Sequence, residues 1–154
     1  MKGVLKMIID SKKACDKVNH ALIKSKSKLI SMLEEYFSCQ LQVDTLECQL
    51  FNPVEYGIFV KLKILNSTGL FAHITTGINE IESRLRYNKT LDCYSAYLQL
   101  GFETDGYEPV FCSLVSQVDL TTLYLLYYPD KGIWKLERES VLENQGYFNQ
   151  YRRG

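Results

Sequence analysis

The chain has few of the residues from which recognisable active sites and metal centres are built. It contains only two histidines, His20 and His73, and its five cysteines show neither a CxxC pair nor a regular spacing. No HExxH or HxH motif occurs, and no Cys/His cluster has zinc-ligand spacing. The glycines are isolated in predicted turns and strands, which argues against a glycine-rich phosphate loop. The sequence therefore predicts no cofactor and no metal site.

The cysteines also indicate a cellular compartment. An odd number of them makes a poor disulfide framework and indicates free thiols in a reducing environment. The N-terminus resembles no signal peptide, and no run approaches the roughly 18 apolar residues that a membrane span needs. We therefore expect a cytoplasmic protein that does not act in a membrane.

A catalytic thiol is not indicated either. A Cys–His pair would need His73 beside Cys93 or Cys112, and nothing in the local sequence supports that arrangement. Cysteines on strands are more often small core residues. An enzyme whose site has no local signature remains a third hypothesis, behind two binding functions.

Apolar and aromatic residues are plentiful. Of the 154 residues 46% are hydrophobic and 23% charged, with seven Phe, eleven Tyr and one Trp. These proportions are typical of a folded globular protein, and a chain of this length buries about two-thirds of its surface when it folds. No internal repeat, low-complexity tract or linker interrupts the sequence. We predict a single domain over residues 1–154.

A hydrophobic period of 3.6 residues predicts one long helix over residues 11–38. Asp10 or Ser11 can cap its start, and no Gly or Pro interrupts it. A turn of about 100° per residue gathers apolar side chains on one face of this helix. The predicted apolar face comprises Val18, Leu22, Leu29, Leu33 and Tyr36, and is widened on one side by Ile23, Ile30 and Phe37.

Beyond Cys39 the hydrophobic period changes from 3.6 to 2, which predicts strands. Short connections such as Asp105-Gly106 and the turn at 129–132 favour antiparallel neighbours. The predicted fold class is therefore α+β: a long N-terminal amphipathic helix packed on a curved, mainly antiparallel sheet of about six strands. The predicted strands cover residues 46–50, 58–64, 70–75, 94–102, 110–118, 120–128 and 133–137, and a short helix is predicted over 78–87.

Charge is unevenly distributed, although the formal net charge is zero. Residues 1–30 contain eight lysines against two aspartates, and residues 31–121 contain twelve acids against five bases. Four lysines lie on the side of the helix opposite its apolar face, where they could bind nucleic-acid phosphate, lipid headgroups or an acidic protein. The helix lacks arginine and has no interleaved aromatic residues on which bases would stack. These candidate anion-binding residues are Lys13, Lys17, Lys24 and Lys28.

Tyrosines and acidic residues coincide on the later strands. Alternation places some of these tyrosines outward, and exposed tyrosine is common in protein interfaces. Acidic side chains beside them would steer a basic protein to this surface. The predicted partner-binding residues are Glu80, Glu82, Asp92, Tyr97, Glu103, Asp105, Tyr107 and Glu108.

We therefore expect a non-catalytic binding module that captures one protein partner in a stoichiometric complex, and the acidic surface would suit a basic partner. Immunity proteins, antitoxins and other inhibitors, and small chaperones act in this way. The alternative is a binder of nucleic acid or of an acidic partner, acting through the lysine face of the helix. Replacing the four lysines with Glu should abolish function only under this alternative. The identity of the partner and the oligomeric state stay open at this point.

Overall fold

The computed structural model describes residues 2–52, 55–67, 78–102 and 123–151. One long N-terminal helix packs against an antiparallel sheet, which confirms the predicted α+β class. The elements are α1 (Lys2–Phe37), β1 (Cys39–Leu50), β2 (Tyr56–Ser67), β3 (Ile78–Asn88), β4 (Cys93–Tyr97), β5 (Gln99–Phe102), β6 (Leu123–Tyr128), β7 (Ile133–Arg138), α2 (Glu139–Asn144) and a 3₁₀ helix (Tyr147–Tyr151).

The described strands form one sheet in the order β1-β2-β3-β4-β6-β7, and all their pairings are antiparallel. The predicted strand over 94–102 occurs as β4 and β5, which meet at Leu98. Both segments pair with β3, β4 with its end and β5 with its start, so they share one position in the sheet. The predicted strands over 70–75 and 110–118 and the Asp105-Gly106 turn lie outside the described residues.

Helix α1 begins at Lys2, before the predicted start, so Asp10 and Ser11 lie within the helix and do not cap it. The predicted anchor Leu29 is fully buried, with no exposed surface. Two members of the predicted apolar side are wrong: Ile23 is 75% exposed and Tyr36 is 49% exposed. The sheet covers a narrower arc of the helix than the sequence indicated. The buried anchors are Val18, Leu22, Leu29, Leu33 and Phe37.

Residues 78–87 belong to strand β3, so the predicted short helix is wrong. The apolar residues at 78, 81 and 85 fit a helical period, but the observed burial alternates along a strand. Ile81, Ser83 and Leu85 are buried, whereas Arg84 and Arg86 are exposed. Pairing with strands on both edges satisfies the backbone of β3 and overrides this weak local pattern.

Hydrogen bonds from α1 to the edge strand β1 fix the rotation of the helix on the sheet. The Asn19 side chain accepts a hydrogen bond from the Cys48 backbone N–H at 2.7 Å and donates one to the Cys48 carbonyl at 3.1 Å. The Cys15 thiol donates to the same carbonyl at 3.0 Å. Further along, the hydroxyls of Ser25 and Tyr127 are hydrogen bonded at 2.9 Å. These polar contacts are specific in direction, so they determine which side of α1 faces solvent.

The end of the chain covers the outer face of β4 and β6, the face turned away from α1. Leu142 and Tyr147 pack there in a second apolar cluster with Cys93. The Ser95 hydroxyl donates to the Tyr147 hydroxyl, and the Asn88 side-chain amide donates to the Tyr147 carbonyl, each at 2.9 Å. No sequence pattern predicted the position of this segment. Within the described ranges, no helix combines the length and the hydropathy that crossing a membrane requires.

Candidate functional site

A groove of about 920 Å³ lies between helix α1 and the inner face of the sheet. Its helix side presents lysines, its sheet side presents tyrosines, and the β6–β7 turn closes one end. We call it the lysine–tyrosine groove. The polar and aromatic residues that line it and matter below are Lys17, His20, Lys24, Lys28, Tyr56, Tyr87, Asp92, Tyr94, Asp130 and Lys131.

Three of the four predicted anion-binding lysines line this groove. Lys17, Lys24 and Lys28 are exposed, and the helical rise of about 1.5 Å per residue places them about 10 Å and 6 Å apart along the axis. Between them Ala21 faces the same groove and leaves it open because its side chain is small. Lys13 is also exposed but does not line the groove.

Four tyrosines line the opposite side: Tyr56, Tyr87 and Tyr94 form one cluster, and Tyr128 lies at the end of β6. Tyr94 is 5% exposed and lies at the centre of the cluster, with its ring centroid 5.8 Å from that of Tyr87 and 6.1 Å from that of Tyr56. Burial and a hydrogen bond with Tyr56 raise the pKa of Tyr94, so its hydroxyl stays protonated. Tyr87 is 44% exposed, which leaves much of its ring accessible from the groove.

The ring of Tyr87 is held in place by its hydroxyl. That hydroxyl donates to a carboxylate oxygen of Asp92 at 2.5 Å, and this hydrogen bond is the main reason that the pKa of Tyr87 is raised. Asp92 lies in the turn after β3 with a positive φ of 53°, a conformation that aspartate tolerates better than most residues. The turn thereby fixes an exposed aromatic ring in one orientation.

The groove has a net positive charge. Four lysines, including Lys131 of the β6–β7 turn, stand against the two aspartates Asp92 and Asp130, which leaves a formal charge of +2 with His20 neutral. The Asp92 carboxylate is already engaged by Tyr87. Across the described part of the chain, none of these lysines forms an ion pair with a carboxylate. The groove therefore offers unneutralised cationic groups beside aromatic rings.

Three of the predicted partner-binding residues, Glu80, Glu82 and Tyr97, share the sheet face turned away from α1, and Glu82 and Tyr97 line a second groove of about 410 Å³. Glu80 pairs with Lys61 at 3.5 Å and Glu82 lies 3.9 Å from Arg84, both on the sheet face turned away from α1. Tyr97 also lies on that outer face, 39% exposed. Asp92 instead lines the groove on the other side of the sheet. The remaining predicted residues, Glu103, Asp105, Tyr107 and Glu108, lie outside the described residues.

Cys93, one of the two cysteines considered for a catalytic thiol, is a poor nucleophile. Cys93 is fully buried beneath the C-terminal segment, and burial raises its pKa to about 11, so almost no thiolate forms near neutrality. His73 and Cys112, its possible catalytic partners, lie outside the described residues. Among the side chains whose positions are given, no three His, Cys, Asp or Glu residues are grouped so that they could hold a metal ion.

The buried thiols predict a loss of stability in alkali. Burial raises the pKa values of Cys39 and Cys93 from 9.0 to about 11, so the unfolded chain loses these protons first as pH rises. The contribution of these two thiols to the free energy of unfolding is complete below about pH 9. It should fall progressively up to about pH 11, by on the order of 2 kcal/mol for each thiol. Urea unfolding across this range measures it. Cys93→Ala should flatten the pH dependence, and an unchanged slope in that variant would contradict the prediction.

Sequence reasoning missed the sheet side of the groove. Tyr56, Tyr87 and Lys131 come from separate elements, and no local pattern links them to the helix lysines. The one signal in the sequence was the turn at 88–92, whose Asp92 sits five residues after Tyr87. Comparison of the chain with protein-family models, with curated proteins and with solved structures gives no match. The geometry of the groove is therefore the basis for assigning a function.

Proposed function

We propose that this protein is a non-catalytic binding module that holds an anionic partner, nucleic acid or an acidic protein segment, in the lysine–tyrosine groove. The observation that supports this most directly is the alignment of Lys17, Lys24 and Lys28 along one side of a large groove, without carboxylate partners in the described structure. This is the function that the sequence placed second.

The lysines have an electrostatic reason to bind an anion. Lys24 and Lys28 are four residues apart on α1, and like charges at this spacing cost the helix about 0.2–0.5 kcal/mol. An anion in the groove would remove that repulsion. The apolar atoms of Val18 and Leu91 also line the groove and keep water away from part of its wall. This strengthens the electrostatic field of the lysines inside the groove.

Capture of a basic protein by the acidic strand region stays a prediction. Two of its acids, Glu80 and Glu82, are partly neutralised by nearby cations, which weakens their ability to steer a basic partner. The two functions are separable, because Glu80, Glu82 and Tyr97 lie on the sheet face opposite the groove. Replacing Glu103, Asp105 and Glu108 with Lys should abolish capture and leave binding in the groove intact.

The proposal is tested by reversing charges at the groove and away from it. In Lys24→Glu/Lys28→Glu, binding of a labelled oligonucleotide or a labelled polyglutamate peptide should weaken by at least about tenfold at about 0.15 M salt. The matched control is Lys12→Glu/Lys26→Glu, which makes the same change in net charge on exposed helix positions that do not line the groove. Fluorescence anisotropy measures binding, and thermal unfolding checks that both variants are folded.

Binding by the control should fall by no more than about threefold, because distant exposed charges are screened by salt. An equal loss in both variants would mean that only the net charge of the helix matters. The absence of binding to either anion by the unmodified protein would overturn the proposal.

A further inference from the structure

We infer that the groove takes a short single-stranded nucleic acid, with phosphates on the lysines of α1 and a base stacked on the ring of Tyr87. This inference rests on the proposed function, because it specifies which anion occupies the same groove. It goes beyond that function in assigning a role to the tyrosine side of the site.

The two sides of the groove match the two sides of a nucleic-acid strand. A single strand presents phosphates along one side and unpaired bases along the other, and proteins bind it with a basic surface combined with aromatic rings. Here Lys24 and Lys28 lie on the helix side and Tyr87 on the sheet side of one groove. An acidic peptide would engage the lysines but would leave an exposed ring without a planar partner.

Tyr87 is suited to stacking because it is both accessible and fixed. It is 44% exposed, its hydroxyl is bound by Asp92, and it packs edge-on against Tyr94 with an interplanar angle of 67°. A ring that is already ordered loses little conformational freedom when a base stacks on it. A T-shaped contact with Tyr94 involves at most one face of the Tyr87 ring, and the 44% exposure of Tyr87 leaves much of the ring accessible to a base.

The size and composition of the groove argue for a single strand bound with little sequence preference. Its volume of about 920 Å³ is near the upper end of the range for sites that enclose small ligands, and a duplex would hide the base faces that Tyr87 needs. Among the described lining residues there is no arginine, the side chain most often used to read guanine. Stacking on tyrosine accepts any base.

The test compares oligonucleotides with and without bases. Labelled oligouridylate and oligothymidylate of about eight nucleotides are titrated by fluorescence anisotropy beside an abasic deoxyoligonucleotide of the same length. The abasic strand keeps the phosphates and should bind at least about tenfold more weakly. Similar affinity for the two base-bearing strands would indicate that the groove binds RNA and DNA alike. A preference for one strand would show whether the ligand is RNA or DNA. Both outcomes support the inference.

Variants of Tyr87 separate stacking from charge. Tyr87→Leu should weaken binding of the base-bearing strands by about tenfold and leave the abasic strand unaffected. Tyr87→Phe keeps the ring, loses the hydrogen bond to Asp92 and should retain most of the affinity. Both changes are at a position that is 44% exposed, and thermal unfolding verifies the fold of each variant.

The outcomes also distinguish the inference from the proposed function. Equal binding of abasic and base-bearing strands, or an unchanged affinity in Tyr87→Leu, would overturn base stacking while the groove remains an anion site. Binding of polyglutamate but of no oligonucleotide would likewise overturn base stacking and leave the groove as an anion site. If neither polyglutamate nor any oligonucleotide binds, the proposed function itself fails.

Discussion

Replacing Leu29 with alanine should lower the free energy of unfolding by about 2–5 kcal/mol. Leu29 has no exposed surface and lies in the main core between α1 and the inner face of the sheet. Truncation removes apolar contacts and leaves a cavity that rigid neighbours from the sheet fill only partly. Urea unfolding followed by circular dichroism measures the loss. Because α1 forms one side of the groove, the same contact supports the site.

The matched control on the same helix is Ile23→Ala. Ile23 is 75% exposed, so its truncation should change the free energy of unfolding by no more than about 0.5 kcal/mol. A similar loss in both variants would contradict the observed rotation of α1 on the sheet. It would place Ile23 in a buried contact, as the sequence pattern had indicated.

Gly57→Ala should be the other strongly destabilising change, by about 3 kcal/mol. Gly57 is buried in β2, and a Cβ atom there would lie 2.5 Å from the carbonyl oxygen of Leu85 and would also overlap the ring of Phe51. The phenylalanine side chain can rotate away, but the Leu85 carbonyl belongs to the backbone of β3. The adjacent strands would have to move apart, and Tyr56, the neighbouring residue, lines the groove.

Gly3→Ala provides the comparison for this change. Gly3 lies in α1, and a methyl group added to its Cα would have nothing within 4 Å. Alanine should therefore leave stability unchanged or raise it by up to about 1 kcal/mol. In thermal and urea unfolding, the midpoint of Gly57→Ala should fall, whereas the midpoint of Gly3→Ala should rise or stay unchanged. A Gly57→Ala protein as stable as the parent would contradict the close approach of β2 and β3.

The hydrophobic pattern of a segment predicted its buried residues correctly where the pattern within that segment alone determines which face is buried. The alternation in β2 predicted that Ile58, Val60 and Leu62 are buried, and all three have at most 1% of their surface exposed. The 3.6-residue period similarly predicted Leu22 and Leu33 as anchors of the helix. In both cases the side-chain period indicates which face of the element is buried, regardless of which other element packs on that face.

The local pattern gave wrong predictions where strand pairing or the docking of the helix on the sheet determines the structure. Residues 78–87 fit a short helix by their own spacing, and became β3 because strands pair with it on both edges. Ile23 fits an apolar face by its angle, but the hydrogen bonds between Asn19 and Cys48 rotate the helix so that Ile23 faces water. These contacts join residues that are distant in sequence and leave no signal in either segment alone.

The sequence by itself determined the α+β class, the long amphipathic helix and a basic side for it, because hydrophobic period and charge are local properties. Only the tertiary structure decided that this basic side borders a groove and that Tyr56, Tyr87 and Tyr94 face it. The sequence lacked aromatic residues between the lysines, and the sheet supplies them from other elements. The physical reason is that strand pairing and helix docking bring distant side chains together, and their free energy depends on the whole fold.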